Sequence, residues 1–137
     1  MIPPRLRQAF ESTTYRIRSP AGAFVLKVGH RSMALALLPR HLTQVGSVLV
    51  TAWNPAGRRR SLAANRAAEK RLRQRLRAWG LKWWPAVAQD PKGLWPDECG
   101  VLIVQVSEPL AAELGRALGQ RAVLFAGADC VPRLIWL

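Results

Sequence analysis

The sequence predicts an α+β fold: a single two-layer domain in which about three helices pack on a mixed β-sheet. Three observations lead there. Apolar, β-branched runs such as "GVLIVQV" (100–106) and "GSVLV" (46–50) have the length of buried strands. Two segments, 61–80 and 107–119, carry helical start and stop signals. Half of the 137 residues are hydrophobic and six are Trp, which suffices for one core, whereas the length is short for two domains. Residues 1–137 are therefore read as one domain, with a short N-terminal extension at 1–13.

Taken in order, residues 4–12 read as a short helix. "TYRIR" and "AFVLKVG" read as two strands joined by the turn signal "SPAG", a hairpin. "RSMALALLPRHL" has the apolar density of a short helix, broken or ended at Pro39. "GSVLVTAW" is a buried strand. Ser61 is a good N-cap for a helix reaching about Trp79, and Gly80 suits the position just past its end. "LKWWPAVA" reads as an irregular or edge strand, because Pro85 lacks the N–H that a central ladder needs. The loop "QDPKGLWPDE" leads into "CGVLIVQV", the most clearly patterned strand. Ser107 caps a helix through about Leu118, stopped by Gly119. "RAVLFAG", the turn "GAD" and "VPRLIWL" complete the chain as strand, turn and strand.

Composition excludes some functions. The opening "MIPPRLRQAF" has Pro and Arg where a secretory signal needs an apolar core. No apolar run approaches the roughly 20 residues that cross a bilayer. A cytoplasmic protein with no membrane partner is expected. Cys99 and Cys130 are expected to be reduced thiols. With His30 and His41 they match no ligand-pair spacing, so neither a metal nor a cofactor is expected. No complete catalytic motif is present, which leans against an enzyme. The net charge of +13 favours polyanionic partners such as nucleic acid, although heavy use of Arg and Ala also follows from a GC-rich genome.

The distribution of that charge is the more telling fact. Nine Lys or Arg lie between Arg58 and Arg77, with only Glu69 against them. On a helical wheel Leu62, Leu72, Leu76 and Trp79 share the side expected to pack on the sheet. Asn65 and Glu69 fall within that apolar arc, and buried polar groups need partners. Either Asn65 ties down the "NPAG" turn and Glu69 meets an Arg, or Asn54, Asn65 and Glu69 line a small polar pocket near Thr51. Arg66, Lys70, Arg73 and Arg77 form a separate stripe of one sign, where solvated helix faces usually alternate. The loop before the helix presents a Gly-containing turn and Arg58, Arg59 and Arg60, suggesting backbone N–H groups turned toward an anion. It matches neither dinucleotide nor P-loop fingerprints.

Other candidates are weaker. In an extended 82–88 segment Trp83 and Trp84 point to opposite faces, one inside and the other open to stack on a base. Asp97 and Glu98 are adjacent, so they do not make the facing pair that acid–base hydrolysis needs.

"TYRIR", "FVLKVG", "TAWNP", "SLAANRAAEKRL", "GLWPDE" and "LGQRAVLFAGADCVPRL", in this order, resemble the bacterial family known as domain of unknown function 3293. The resemblance runs from about Tyr15 onward. It implies a small standalone cytoplasmic α/β protein and no particular activity. The motif residues that carry over are Thr51, Asn54, Pro55, Asn65, Trp95, Glu98 and Gln120. The chain departs from the pattern at Cys99 and in its very basic 58–77 segment. The leading expectation is a non-enzymatic module that binds a phosphate-bearing ligand, nucleic acid or nucleotide, through the 53–61 loop and the basic helix 61–79. The alternatives are an enzyme on a small molecule, with Asn54, Asn65, Glu69 and Glu98 in its pocket and one Glu as general base, and a domain that docks an acidic protein.

Overall fold

The computed structural model describes residues 2–137. Among these residues the elements run α1 (Pro4–Ser12), β1 (Thr14–Ser19), β2 (Gly22–Lys27), α2 (Met33–Leu37), α3 (Arg40–Thr43), β3 (Ser47–Val50), α4 (Leu62–Ala78), β4 (Trp83–Gln89), β5 (Glu98–Val104), α5 (Glu108–Ala117), β6 (Ala122–Ala126) and β7 (Pro132–Trp136). A single 3-10 turn, Pro55–Gly57, lies between β3 and α4. The seven strands form one sheet in the order β2-β1-β4-β5-β3-β6-β7. The class is α+β, as the sequence predicts.

Two details of the sheet differ from expectation. Every neighbouring pair is antiparallel, so the sheet is not mixed. Both of its faces carry helices, so the layers are three rather than two. Leu49, Leu102 and Leu124 face one core with Leu35 of α2 and Leu42 of α3. Val48, Val50, Val101, Ile103, Val123 and Phe125 face the other, against Leu72 and Leu76 of α4 and Ala111 and Leu114 of α5. This double burial explains the unbroken apolar runs of β3, β5 and β6, a pattern more usual in parallel sheets because those are covered on both sides. At the other end β1 alternates instead, with Arg16 and Arg18 exposed between Tyr15, Ile17 and Ser19.

β4 is an interior strand, paired with β1 and β5, and not the edge strand that Pro85 suggested. The register shows how the proline is accommodated. Val104 N–H donates to the Lys82 carbonyl, which marks 82/104 as a hydrogen-bonded pair. Alternation then makes Pro85/Val101 a non-bonded pair, with the proline nitrogen turned toward β1. Pairing with β1 ends one residue away, at Ile17/Ala86, so no ladder bond is missing.

The capping signals hold. Ser32, Ser61 and Ser107 each accept an N–H from the residue three positions on, and Gly80 and Gly119 adopt φ of +68° just past α4 and α5. The apolar arc of α4 is shorter than the wheel implied. Leu72 and Leu76 are buried, but Leu62 is 53 % and Trp79 56 % exposed. The helix is buried along Asn65, Leu72 and Leu76, and only its terminal apolar residues stand clear of the core. The N-terminal segment is a helix lying on the first face, where Phe10 packs edge-on against Trp136 at 5.0 Å and Arg7 lies 5.7 Å from the same indole.

Candidate functional site

The 51–61 segment is fastened from three directions. As β3 ends, Thr51 Oγ1 donates to the Cys99 carbonyl of β5 at 2.6 Å and accepts the Trp53 N–H at 3.0 Å. This approach requires Gly100, because a Cβ there would stand 2.5 Å from the Val50 carbonyl oxygen, a backbone atom. Gly100→Ala is expected to cost about 1–3 kcal/mol in urea unfolding, the usual range for forced overpacking; an unchanged midpoint would show that the strands separate freely.

Asn54 is the hub. Its backbone is left-handed (φ 46°, ψ 58°), a conformation Asn tolerates better than other side-chain-bearing residues. Its N–H donates to Asn65 Oδ1 at 3.0 Å, while its own Oδ1 accepts from Asn65 Nδ2 at 3.0 Å and from the Arg60 N–H at 2.8 Å. Its Nδ2 donates to Glu98 Oε1 at 2.9 Å. Asn65, only 3 % exposed, thus satisfies its carboxamide on the loop. The third fastening comes from the end of α5, where Ala56 N–H donates to the Gly119 carbonyl at 2.7 Å and Gln120 Nε2 to the Trp53 carbonyl at 3.1 Å.

These bonds narrow one expectation. The N–H groups of Trp53, Asn54, Ala56, Gly57, Arg58 and Arg60 are all used within the protein, so they are not turned out to cradle a phosphate. The anion chemistry left to this segment is that of the exposed side chains of Arg58, Arg59 and Arg60 and of the N–H groups that open α4.

The fastened loop walls a cavity of about 310 Å³ on the α1 side of the sheet. Its apolar surface comes from Leu6 and Phe10 of α1 and from Leu49, Leu124 and Leu134 of the sheet. Its polar surface comes from Tyr15, Thr51, Asn54, Glu98, Gln120 and Arg121, with Trp95 beside them. The register explains the convergence. Tyr15 pairs with Ala88, and Ala88 pairs with Glu98, so the three lie in one row across β1, β4 and β5. Ala88, the smallest of them, leaves the space between the phenol and the carboxyl.

Burial pushes the Glu98 carboxyl above the ordinary glutamate range, and the hydrogen bond from Asn54 holds it back in part. The Tyr15 phenol is raised as well, chiefly by burial; its hydrogen bond with Thr13 opposes the shift and the Glu98 charge adds to it. A carboxyl poised to accept a proton, oriented by a carboxamide and lining a cavity, is suited to hydrogen-bonding or to proton transfer. Asp97 turns to a different partner, Gln89 Nε2 at 2.9 Å.

Of the expected pocket residues, Thr51, Asn54, Trp95, Glu98 and Gln120 line the cavity, and Asn65 holds its wall. Glu69 does not belong to it. It lies four residues past Asn65, about 6 Å further along the axis of a helix on the opposite side of the sheet, and it pairs with Arg73 at 3.3 Å. The chain beneath it is marked by Cys99, whose thiol is raised first by burial and then by the Glu69 charge, with Arg73 and Arg66 opposing. Arg66, Lys70, Arg73 and Arg77 do share a surface groove of about 300 Å³ with Glu69 and Gln74. Arg73 is committed there, its guanidinium 5.0 Å from the centre of the Trp83 ring. Trp84 is buried in the core and Trp83 is half-buried beneath Arg73, so the face offered for base stacking is already covered.

Sequence reasoning missed Tyr15, Arg121 and the contribution of α1. Tyr15 was readable from strand alternation, since it shares the inward parity of Ile17. Arg121 follows the Gly-Gln pair directly, but its aim depends on where β6 enters the sheet.

Fold and site together define a class: an α+β protein whose antiparallel sheet carries helices on both faces and a loop-walled cavity at one end. Within that class the chain belongs to the family described as a protein of unknown function, DUF3293, whose model matches residues 50–123, just over half the chain. Among curated proteins and solved structures none matches it. The matched segment contains Thr51, Asn54, Asn65, Trp95, Glu98 and Gln120, while Tyr15 and α1 lie outside it. No helix among the described residues is long and apolar enough to cross a membrane.

Proposed function

We propose that this protein binds a small organic molecule in the cavity between α1 and the sheet, with Glu98 as its principal hydrogen-bonding group. One observation carries the reading: Thr51, Asn54, Trp95, Glu98 and Gln120, drawn from separate segments, meet at one cavity whose remaining wall is apolar. Small-molecule sites combine those two features, and about 310 Å³ is at the lower end of their roughly 300–1,000 Å³ range. The enzymatic alternative narrows accordingly, from four residues to Glu98 as acid or base with Asn54 orienting it. Screening a metabolite collection by thermal unfolding tests the proposal. A ligand at a hundredfold excess over its Kd stabilises by about 2.7 kcal/mol, a shift of several degrees. Ala88→Leu, which fills the gap between Tyr15 and Glu98, is expected to abolish that shift. Stabilisation that survives the filled cavity would place binding elsewhere.

A second reading, a nucleic-acid or other polyanion contact on α4, is favoured by the groove that gathers Arg66, Lys70, Arg73 and Arg77. On this reading the protein is a cytoplasmic, basic binding module in which side chains rather than loop N–H groups meet phosphate. Arg66 and Arg77 are the residues to reverse, because Arg73 also holds Glu69 and Trp83. The double change Arg66→Glu, Arg77→Glu is expected to weaken binding of labelled single-stranded RNA and to reduce the salt slope by roughly one per residue removed. Equal anisotropy for variant and parent at low salt would dismiss the surface.

A further inference from the structure

We propose that the ligand of the cavity is a small organic anion, a carboxylate or phosphate monoester on an aromatic or branched aliphatic body, whose charged end is held by Arg121. This rests on the cavity being the binding site and adds the chemistry of what enters it. Arg121 lines the cavity at its solvent side and precedes β6 directly. Its guanidinium lies flat over the backbone of Gly57. A Cβ at Gly57 would stand 3.4 Å from Cζ and 3.5 Å from both Nε and Nη2, and the φ of +72° there favours glycine independently. The cation is therefore backed on one face by a turn that carries no side chain.

Its guanidinium is in no ion pair among the described residues. The ion pairs among the described residues are Arg73 with Glu69 and Arg133 with Glu108, so no carboxylate answers Arg121. Glu98 shares the cavity without pairing with it. Arg58, Arg59 and Arg60 follow Gly57 as exposed residues and add positive charge beside the rim. An anion thus gains at the mouth, and a guanidinium offers it a two-point contact. An organic cation would face Arg121 and the exposed Arg58, Arg59 and Arg60 beside the rim.

The body of the ligand follows from the other walls. Phe10, Leu49, Leu124 and Leu134 offer no polar side-chain atoms, and the Trp95 ring stands beside them. Asn54 occupies one Glu98 oxygen, and the other has no protein partner among the described residues. A ligand hydroxyl or amide N–H at that end completes the set. The volume is ample for one ring or a short branched chain.

Titration calorimetry with benzoate, phenyl phosphate, benzyl alcohol and benzylamine separates the possibilities, run on the full chain and on Arg121→Gln and Ala88→Leu. At least one of the two anions is expected to bind, with the neutral alcohol weaker by roughly tenfold or more. Preference between benzoate and phenyl phosphate tells carboxylate from phosphate. Arg121→Gln is expected to weaken the anion by roughly tenfold or more and leave the alcohol unchanged. If benzylamine or benzyl alcohol binds as well as the anions, or if Arg121→Gln leaves anion affinity intact, the anion assignment is overturned while the cavity stands, provided Ala88→Leu removes the binding. Binding that persists in Ala88→Leu overturns the cavity itself. Failure of both anions to bind at about 10 mM, where ligands of this size register, also overturns the assignment.

Discussion

Asn65→Leu is expected to lower the free energy of unfolding by about 2–4 kcal/mol, although it replaces a polar core residue with an apolar one of similar size. Asn65 Oδ1 accepts the Asn54 N–H and its Nδ2 supplies Asn54 Oδ1, both at 3.0 Å. Removing it strands a backbone donor next to the core and loosens the residue that also holds Arg60 N–H and Glu98. A stranded buried group costs about 1–3 kcal/mol, more than an ordinary hydrogen bond contributes. The left-handed turn at Asn54 then loses the bonds that maintain it, adding to the loss. Urea unfolding of the variant should show a lower midpoint with an unchanged slope. Ser61→Ala, which removes the cap one turn earlier, provides the comparison at about 1 kcal/mol. A double-mutant cycle with Asn54→Ala should give a coupling of about 0.5–3 kcal/mol; strict additivity would mean that the two carboxamides do not act as a unit.

The sequence carried this part of the site because its physics is local in character. Asn65 interrupts an apolar helical arc, and an interruption of that kind demands a partner wherever the helix is placed. Glu69 makes the same demand by the same rule, yet it answers to Arg73 in its own helix, one of the two outcomes the pattern allowed. Which polar residue goes to the loop and which to the neighbouring turn depends on how far along the sheet α4 is set down, and a helical wheel has no information on that. The interior position of β4 was hidden for a related reason. Pro85 excludes ladder bonds on one side only, and whether a neighbour needs that bond depends on where β1 stops. The cavity was the least legible feature. Tyr15, Ala88 and Glu98 are brought into one row by two strand pairings that span most of the chain, and the helix that roofs them has no buried residue of its own to announce it.

Glu98→Gln is expected to stabilise the protein at neutral pH and to lose that advantage in acid. Burial raises the Glu98 pKa in the folded state, while in the unfolded chain it returns to about 4.3. The folded protein therefore holds a proton that the unfolded chain gives up more readily. Stability falls as pH rises through the ordinary glutamate range toward the higher folded value, and then levels off. Glutamine keeps the oxygen that accepts from Asn54 Nδ2 and never ionises, so the variant escapes the penalty. Every other titrating group is common to both proteins, and the difference between their urea midpoints isolates Glu98. That difference should favour the variant at pH about 8 and close at pH about 4. A difference that is constant with pH, or that favours the parent at pH about 8, would show that the carboxylate is well solvated and would remove Glu98 as the group that gives the cavity its chemistry. A residue retained against the stability of its own fold is the usual mark of a site, where stability is given up to keep a group poised for a ligand. The variant that folds best should therefore also be the one whose ligand binding is impaired.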